Sequence, residues 1–471
     1  MNRPNIFQTI LSVAACKVTR RILRLTGRGG TALPGKAARV FAKDILARTS
    51  EGMEILVVTG TNGKTTSSRM IEHALTLTGR DVLANRSGAN LLSGVTAELT
   101  CNATLTGKPK SHYAVIECDE GALRQVAPLI HPKVIIVTNL FRDQLDRYGE
   151  VTHTVNAIRK GIESVPDTTI CLNADDSLVA SLADGLPNRI VWYGMDTPAG
   201  AQKEAAVSDA KYCIRCGAPY AYRYHTYAHL GGFYCPSCGY ARPDADVAVT
   251  AVESMDMDGS RVRLRFGETE YEAAIALPAV YNIYNAAGAA CALNAFGLSP
   301  EEILPALSDV HSGFGRMETF HVERGTGNAA GADGPVRVQM ILVKNPAGCS
   351  QALNYVASVG QDYNLILCLN DRTADGHDIS WIWDADYELL AENTHVKHIL
   401  VSGDRAEDLQ LRLKYAGFEE ERITLEKDNA QLLAAIRRST LPVFILPNYT
   451  SMLALRKVLS DATGAGEFWE G

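Results

Sequence analysis

Apolar runs and amphipathic segments alternate along most of this chain. Between about residues 49 and 325, short apolar runs that predict buried strands lie at 55–59, 114–117, 134–139 and 170–173. Segments with helical spacing of apolar positions, such as 65–78 and 151–164, separate these runs. Strands that alternate with helices predict an α/β domain in which a parallel sheet is covered on both faces.

A second, smaller series of strands follows a segment of small residues. Residues 325–335 are mostly glycine, alanine and small polar residues, which is typical of a linker. Beyond it, apolar runs that predict the strands of another α/β domain lie at 338–343, 365–369, 398–401 and 443–446. We therefore predict a central domain over residues 49–325 and a C-terminal domain over residues 336–471.

The N-terminal segment, residues 1–48, combines an apolar side with a basic cluster. Its clustered basic residues are Lys17, Arg20, Arg21, Arg24 and Arg28. A basic amphipathic helix of this kind rests on an anionic membrane surface or packs on its own domain, and the sequence leaves both open. Its apolar run is too short to span a bilayer, and the charges follow that run, unlike those of a signal peptide. We expect a cytoplasmic protein, with peripheral attachment to the inner face of the membrane as the alternative.

The net charge and the spacing of the cysteines restrict the possible functions further. The 471-residue chain has a net charge of −7, which argues against non-specific binding to nucleic acid. Four of its 11 cysteines form two C-x₂-C pairs, Cys213 with Cys216 and Cys235 with Cys238. Four thiolates at this spacing suit a closed, structural Zn²⁺ site, so we predict a zinc-ribbon insertion over residues 205–245. The other seven cysteines are expected to be buried free thiols of a reducing compartment.

The segment 57–66, which reads VVTGTNGKTT, joins a predicted strand to a predicted helix through a glycine-rich turn. Backbone N–H groups and a helix N-terminus surround an anion in such a turn, which predicts a phosphate-binding loop. Lys64 would reach the β- and γ-phosphates of a nucleotide, and the Thr65 hydroxyl would hold Mg²⁺. The nucleotide-binding residues predicted in this loop are Thr61, Asn62, Gly63, Lys64, Thr65 and Thr66.

The loop departs from the general nucleotide-binding pattern, because Val58 stands where that pattern has a glycine. Its shorter form resembles the loop of the Mur ligases, a family of ATP-dependent enzymes that form peptide bonds. Glu117 stands where this family places a glutamate on Mg²⁺, and Glu120 is a second candidate. Residues 138–146, TNLFRDQLD, resemble another family motif, although Gln144 replaces the usual metal-binding histidine.

Three later segments match the same family in order. They are NADD at 173–176, YNIYNAA at 281–287 and GRME at 315–318. The resemblance implies that Asn282 and Asn285 lie near the adenine and that Arg316 faces phosphate. It therefore implies a Mur ligase-type ATP-binding domain with ATP and Mg²⁺ as cofactors.

The C-terminal part departs from most Mur ligases. Where many members carry DYAHNP, this chain has KNPAG at 344–348, followed by NDRTADGHDISWIWD at 370–384 and LPNYTSML at 446–453. Together with the four-cysteine insertion, these segments resemble MurT-type subunits of lipid II isoglutaminyl synthase over essentially the whole chain.

That resemblance implies a ligase of peptidoglycan synthesis. ATP would convert the α-carboxylate of D-glutamate in the stem peptide of lipid II into an acyl phosphate, which ammonia would turn into D-isoglutamine. The ammonia would come from a GatD-type glutaminase partner. The catalytic Cys and His of that partner would form a triad with an acidic residue that this chain supplies. Three candidate acids follow one predicted strand: Asp375, Asp378 and Asp384. We rank Asp384 first, because Trp381 and Trp383 would fix its backbone, and Asp378 second.

Two other functions stay open at this point. A self-sufficient Mur-type or folylpolyglutamate synthase-like ligase would add an amino acid without a partner. It predicts an N-terminal domain for a UDP-linked substrate, for which residues 1–48 are too short. A nucleotide-binding zinc module without catalysis would bind ATP and never turn it over.

Overall fold

The computed structural model describes residues 5–25, 32–85, 89–141, 151–198, 210–310, 315–325 and 334–465. Its strands are β1 (Glu54–Thr59), β2 (Val82–Ala84), β3 (Tyr113–Glu117), β4 (Val134–Val137), β5 (Thr169–Asn173), β6 (Ile190–Met195), β7 (Ala221–Tyr227), β8 (Leu230–Tyr234), β9 (Val247–Met255), β10 (Ser260–Phe266), β11 (Thr269–Ile275), β12 (Arg316–Val322), β13 (Val336–Ile341), β14 (Tyr363–Cys368), β15 (Val396–Ser402), β16 (Ile423–Leu425) and β17 (Val443–Pro447).

Its α-helices are α1 (Ile6–Leu25), α2 (Leu33–Phe41), α3 (Ile45–Thr49), α4 (Lys64–Leu77), α5 (Leu92–Cys101), α6 (Leu123–Ile130), α7 (Val151–Glu163), α8 (Ser177–Ala180), α9 (Val280–Phe296), α10 (Pro300–Asp309), α11 (Pro346–Ala357), α12 (Glu388–Ala391), α13 (Ala406–Tyr415), α14 (Asn429–Arg438) and α15 (Tyr449–Thr463). Two residues named above, Arg28 and Gln144, lie outside the described segments, as does most of the predicted linker.

The larger sheet has nine strands in the order β11-β10-β9-β6-β5-β4-β1-β3-β2. From β2 to β9 its neighbouring strands are parallel, as predicted. The edge formed by β9, β10 and β11 is antiparallel, which the sequence analysis did not predict. Buried and exposed residues alternate along β10, because one face of this edge packs on the core while the other meets solvent.

Strand β1 lies at the centre of this sheet and is buried on both faces. Successive side chains of a strand point to opposite faces, so Leu56 and Val58 join one apolar core and Ile55 and Val57 join another. Helices α4 and α9 cover the first face, and α5, α6 and α7 cover the second. This double burial explains why β1 reads as an uninterrupted apolar run rather than an alternating one.

The N-terminal helices pack on the second face of this domain. Val13 and Cys16 of α1 join Ala38 of α2 and Ala97 of α5 in a small core. The glycine-rich stretch 27–35 of the sequence predicts a loop. For residues 33–35 this prediction is wrong, because α2 begins at Leu33. Pro34 lies in its first turn, where a missing N–H costs no helical hydrogen bond. No helix among the described segments is long and apolar enough to cross a membrane.

The second sheet has six strands in the order β12-β13-β17-β14-β15-β16, all parallel except the pair β12 and β13. Strand β12 lies inside the range assigned to the central domain, yet its residues 316–322 pair with β13. The boundary between the two sheets therefore lies before the predicted linker, because β12 already belongs to the second sheet. The two-stranded hairpin of β7 and β8 forms its own sheet between β6 and β9, where the insertion was expected.

Candidate functional site

The phosphate loop follows β1 and requires two glycines. Gly60 and Gly63 have φ values of 119° and 84°, in the left-handed region that favours glycine. A Cβ atom on Gly60 would lie 2.3 Å from the hydroxyl of Thr138, and one on Gly63 would lie 2.1 Å from the side-chain oxygen of Asn285. Any larger residue at either position would displace the loop from its neighbours.

The end of β4 holds the loop in place. Asn139 accepts hydrogen bonds from the backbone N–H of Thr61 (2.8 Å, to its carbonyl) and of Asn62 (2.9 Å, to its side chain). The Thr138 hydroxyl donates to the carbonyl of Asn62 at 2.7 Å. The segment that resembles the TNL motif therefore positions the loop through Thr138, Asn139 and also Phe141, whose N–H donates to the Thr61 hydroxyl at 3.1 Å. Residues 142–146 of this segment lie outside the described segments.

The loop brings a cation and a hydroxyl against buried acids. The Lys64 ammonium donates to the carbonyls of Gly60 and Thr61 and lies 3.3 Å from a Glu120 oxygen. The Thr65 hydroxyl donates to Glu117 at 2.6 Å. A hydroxyl beside a carboxylate is an oxygen donor set that suits Mg²⁺, so the residues fit that ion. A phosphate loop at a sheet edge is expected to face solvent, but the Lys64 side chain is only 11% exposed.

One cavity of about 440 Å³ contains every nucleotide and magnesium residue that the sequence predicted. They are Thr61, Asn62, Gly63, Lys64, Thr65, Thr66, Glu117, Asn282, Asn285 and Arg316. The cavity also has walls from the second sheet and its helices, including Lys344, Gln351 and Trp381. It therefore lies between the two sheets, at the carboxyl edge of β1, where ligands bind in parallel α/β structures.

A direct contact joins the phosphate loop to the C-terminal domain across this cavity. The side-chain amide of Asn345 donates to the side-chain oxygen of Asn62 at 3.1 Å, and Asn345 also caps α11. In the sequence this segment stands out only by its departure from DYAHNP, and its position at the cavity was not predicted. No local pattern indicates it, because the two residues are 283 positions apart.

Two segments that contribute residues to the cavity, one at Arg316 and one at the start of α9, have an unusual backbone. Met317 has a φ of 62°, and Ala279, which precedes α9, has a φ of 81°. Such conformations cost energy in residues other than glycine and cluster at functional sites. Burial lowers the pKa of Arg316 from its ordinary value, and the Glu117 carboxylate acts in the opposite direction. A guanidinium stays charged at neutral pH, and Arg316 is close enough to Glu117 for the two charges to interact.

The asparagines at the start of α9 contact each other and the backbone. The Asn282 side chain donates to the carbonyl of Pro278 at 2.7 Å and accepts a hydrogen bond of 3.1 Å from Asn285. Asn282 therefore helps to begin the helix and also orients Asn285, which touches the loop at Gly63. Both residues still line the cavity, so a role at the adenine stays a prediction.

The NADD segment supports the site rather than lining it. Asp175 is fully buried and accepts hydrogen bonds from Arg242 (2.5 Å) and from the backbone N–H of Met195 (2.9 Å). Burial raises the pKa of Asp175, and the Arg242 guanidinium opposes that shift. Asp176 caps α8 and accepts from the N–H of Leu140. Both acids connect β5 to neighbouring elements, so they are structural.

The four cysteines of the insertion converge on one point. Among the described residues they form the one cluster of possible metal ligands, and their sulfurs all lie within 4.8 Å of one another. The sulfurs of Cys213 and Cys238 are 3.6 Å apart, and those of Cys216 and Cys235 are 3.4 Å apart. Tetrahedral Zn²⁺ with Zn–S bonds of about 2.3 Å needs sulfurs about 3.8 Å apart, so the donor set fits zinc.

Turn geometry aims these sulfurs inward. Gly217 and Gly239 follow the two pairs with φ values of 76° and 75°. Their N–H groups donate back to the carbonyls of Cys213 (2.8 Å) and Cys235 (3.0 Å), closing two matching turns. The other seven cysteines are free thiols, and all of them are buried except Cys101, which is half-buried.

The three candidate triad acids follow β14, but their surroundings differ. Asp375 is buried, lines the cavity and accepts hydrogen bonds from the backbone and hydroxyl of Thr450, so it caps the start of α15. Asp378 is half-buried and accepts from the N–H of Ser380 at 2.8 Å. Asp384 is half-buried at the end of a 3₁₀ turn, Ser380–Asp384. Asp378 and Asp384 therefore remain the surface acids of this segment.

A buried arginine fixes the turn that carries Asp384. Arg412 of α13 donates to the carbonyls of Ile382 (3.1 Å) and Ala385 (2.8 Å), on either side of that acid. We had expected Trp381 and Trp383 to fix this backbone; Trp381 is buried, but Trp383 is exposed. The expectation for Trp383 is wrong, because its ring lies on the surface above the Arg412 guanidinium. No sequence pattern indicates Arg412.

Two family models match this chain. Residues 58–217 match the Mur ligase middle domain, and residues 342–452 match the MurT ligase C-terminal domain. The MurT subunit of lipid II isoglutaminyl synthase (glutamine-hydrolyzing) from Streptococcus pneumoniae is 35% identical over 457 residues, which cover 96% of this chain and 97% of that protein. This chain belongs to the MurT family. The MurT subunit of Staphylococcus aureus is 33% identical, over 97% of this chain and 99% of its own length.

Solved structures agree on the fold of this MurT family member. A pseudomurein peptide ligase type C from Methanothermus fervidus superposes with a TM-score of 0.64 at 19% identity, covering 89% of this chain and 80% of that structure. The predicted Mur-type fold and the ligase class are therefore confirmed. Membership also implies ATP and Mg²⁺, whereas zinc at the cysteine cluster stays a prediction.

Proposed function

We propose that this chain is the ATP-dependent subunit of an amidotransferase that converts D-glutamate of the lipid II stem peptide into D-isoglutamine. The near full-length similarity to two subunits of lipid II isoglutaminyl synthase supports this proposal. The observation that carries it is the cavity between the phosphate loop and the C-terminal domain. Ligation needs a nucleotide and a carboxylate substrate in one enclosed space. This cavity has the phosphate loop on one side and room for a substrate beside the C-terminal domain on the other.

The first step would activate the α-carboxylate of D-glutamate. A carboxylate oxygen attacks the γ-phosphorus of ATP, the bond to the β-phosphate oxygen breaks, and ADP leaves an acyl phosphate behind. Lys64 and Arg316 line the cavity and would neutralise the phosphate oxygens. Thr65 and Glu117 would hold Mg²⁺, which supplies further positive charge at those oxygens when bound.

The second step would replace phosphate with nitrogen. Ammonia attacks the acyl carbon, the bond to the phosphate oxygen breaks, and loss of one proton from nitrogen leaves the amide. Lys344 lies on the C-terminal wall of the same cavity and would add positive charge near the departing phosphate. Closing the cavity against water would protect the acyl phosphate from hydrolysis.

The ammonia would come from a separate glutaminase of the GatD type. Glutamine hydrolysis needs a reactive thiolate beside a histidine base. Cys349 is buried and contacts the hydroxyl of Tyr387 rather than a histidine, and burial raises its pKa to about 12. A thiol of that kind is a poor nucleophile near neutral pH, which supports a partner that brings its own cysteine.

The acid that orients the partner's histidine would be Asp384, with Asp378 as the second choice. Asp384 is half-buried on a turn that Arg412 holds from both sides, and the exposed rings of Trp383 and Tyr415 contact each other beside it. Exposed aromatic residues are common at the centres of protein interfaces. A fixed acid next to such residues suits a triad completed across an interface.

We also propose a cytoplasmic location with peripheral attachment at the inner face of the membrane. ATP supplies the energy of the reaction, which supports the cytoplasmic side. The proposed acceptor carries a lipid, which supports attachment to the bilayer surface.

The proposal is tested by assembling the chain with a GatD-type glutaminase and measuring amidation of detergent-solubilised lipid II by mass spectrometry. We expect amidation with ATP and glutamine only when both subunits are present, and amidation with ATP and ammonium by this chain alone. Incorporation of an amino acid instead of ammonia would favour the self-sufficient ligase. ATP binding without turnover under every condition would favour the non-catalytic zinc module.

A further inference from the structure

Helix α1 has an apolar face that its packing does not use. Thr9, Val13 and Cys16 are buried against the domain. On the opposite side of the helix, Phe7 is 67% exposed and Leu25 is 80% exposed. These two residues are 18 positions apart, which is about five helical turns, so they point in the same direction.

Helix α2 repeats this arrangement. Its buried residues, Pro34, Gly35 and Ala38, face α5, and a Cβ atom on Gly35 would lie only 1.8 Å from the carbonyl oxygen of Ser93. Val40, on the far side of α2, is 79% exposed. Because both helices pack on α5 with one side, their exposed apolar residues share the side that points away from it.

The exposed apolar residues of the described segments are concentrated on α1 and α2, which pack against each other. Of the 21 large apolar side chains that are exposed in the described segments, nine lie between residues 6 and 41. We define the N-terminal apolar face as Phe7, Val18, Leu25, Leu33, Val40 and Phe41. Exposed apolar residues scattered singly need no explanation, but a cluster of this kind marks an interaction surface.

The charge around this face has one sign. The first 43 residues contain nine lysines or arginines and no acid, although the whole chain has 46 basic and 53 acidic residues. Arg20 pairs with Glu98 and Lys17 donates to a backbone carbonyl, so these two cations serve the packing of α1. Other basic side chains at the face are exposed, namely Arg21, Arg24, Lys36 and Lys43.

We propose that the N-terminal apolar face lies on an anionic membrane surface. The apolar side chains would enter the boundary between head groups and acyl chains, and the exposed basic residues would meet lipid phosphates. A bilayer offers an apolar layer beneath a continuous negative one, which matches a face whose own helices, α1 and α2, carry basic residues and no acid. The inference rests on the proposed function in one respect, because a lipid-linked acceptor lies in such a bilayer.

The two possibilities that the sequence left open for this helix are therefore compatible. One side of α1 packs on the domain through Val13 and Cys16, and the other side remains available to lipid. Such a face would hold the cavity close to the bilayer surface and raise the local concentration of a lipid-anchored substrate.

The test measures co-sedimentation of the full chain with vesicles, without glutaminase or ATP. We expect binding to vesicles of phosphatidylcholine and phosphatidylglycerol in equal parts, and little binding to phosphatidylcholine alone. The double variant Arg21→Glu/Arg24→Glu should bind on the order of 30-fold more weakly, because each cation near such a surface contributes about fivefold. Phe7→Asp/Leu25→Asp should bind at least about tenfold more weakly, because two apolar anchors are lost.

A matched control places the same change elsewhere. Leu77 and Leu411 are also exposed residues on helices, so Leu77→Asp/Leu411→Asp should bind vesicles like the unmodified chain. All altered residues are exposed, so thermal unfolding should stay unchanged in each variant. With detergent-solubilised lipid II, the Phe7→Asp/Leu25→Asp variant should amidate with ATP and ammonium at the unmodified rate.

Two outcomes would overturn the membrane assignment. The unmodified chain could stay in the supernatant with both kinds of vesicle, or the Phe7→Asp/Leu25→Asp variant could still sediment with anionic vesicles. If that variant still sediments but loses the glutaminase or self-association, the face is a protein interface. Normal vesicle binding by a chain that never amidates lipid II would instead contradict only the proposed function.

Discussion

The phosphate loop and the turn Ser380–Asp384 each follow a parallel strand, yet they depend on the rest of the chain in different ways. The loop needs Gly60, Gly63, Lys64 and Thr65, all within six positions, for its backbone conformation and for its cation and hydroxyl. The turn is held by Arg412, which lies 30 positions from Ile382. A site built on one glycine-rich turn is therefore visible in a short motif, whereas a turn that a distant side chain holds is not.

The largest expected effect separates these two regions. Asp384→Asn should slow glutamine hydrolysis by the partner about 10⁴-fold, because the acid stabilises the imidazolium formed during proton transfer. It should leave nucleotide binding and ammonium-driven amidation almost unchanged. Steady-state glutaminase assays of the assembled enzyme, with and without added ammonium, measure both rates.

Asp378→Asn ranks the two acids in the same assay. Loss of glutaminase activity in this variant but not in Asp384→Asn would reverse our order. If activity survives in both variants and in Asp375→Asn, the partner completes its own triad.

The next effect concerns the loop. Lys64→Ala should lower ATP turnover and amidation on the order of 10³-fold, since the ammonium neutralises phosphate charge in the transition state. Glutamine hydrolysis by the partner should persist. The exposed Lys133 pairs with Glu54 on the surface, so Lys133→Ala is the matched control and should retain full turnover. Unchanged ATP turnover in Lys64→Ala would contradict the assignment of the loop.

A smaller effect tests whether the turn depends on distant packing. Arg412→Met removes two hydrogen bonds to the backbone around Asp384, so glutaminase activity should fall about tenfold while the free energy of unfolding falls by about 2 kcal/mol. Arg405 begins the same helix but is more exposed, and Arg405→Met should have little effect on either quantity. Normal glutaminase activity in Arg412→Met would show that Trp381 and Ile382 alone hold the turn.

The smallest effect on either activity is expected at the cysteine cluster. Elemental analysis should find about one zinc per chain, and Cys213→Ser should lose it and destabilise the insertion. Cys368→Ser, at a buried thiol of the second sheet, should keep the metal. Absence of zinc from the unmodified chain, or iron in its place, would contradict the structural zinc site.

The sequence predicted four strands of each sheet to within a few residues, as well as the helix after the loop. These strands could be predicted because a buried parallel strand is a short, continuous apolar run. The segments between the strands have apolar residues at the spacing of a helix. It missed the antiparallel edge of β9, β10 and β11, and it assigned β12 to the wrong region. Strand pairing depends on contacts between distant residues, and the pairing of β12 with β13 cannot be read from either segment alone.

By itself, the sequence determined the phosphate loop, the cysteine cluster and each Mur-type motif, because each of these patterns is encoded by residues close together in the chain. Only the tertiary structure decided that the loop's residues share one cavity with Lys344 and Trp381. It alone revealed Asn345 against Asn62 and Arg412 beneath the acidic turn. It also assigned α1 both a packed and an exposed apolar face, since burial is a property of the folded surroundings and not of the helix that carries the residues.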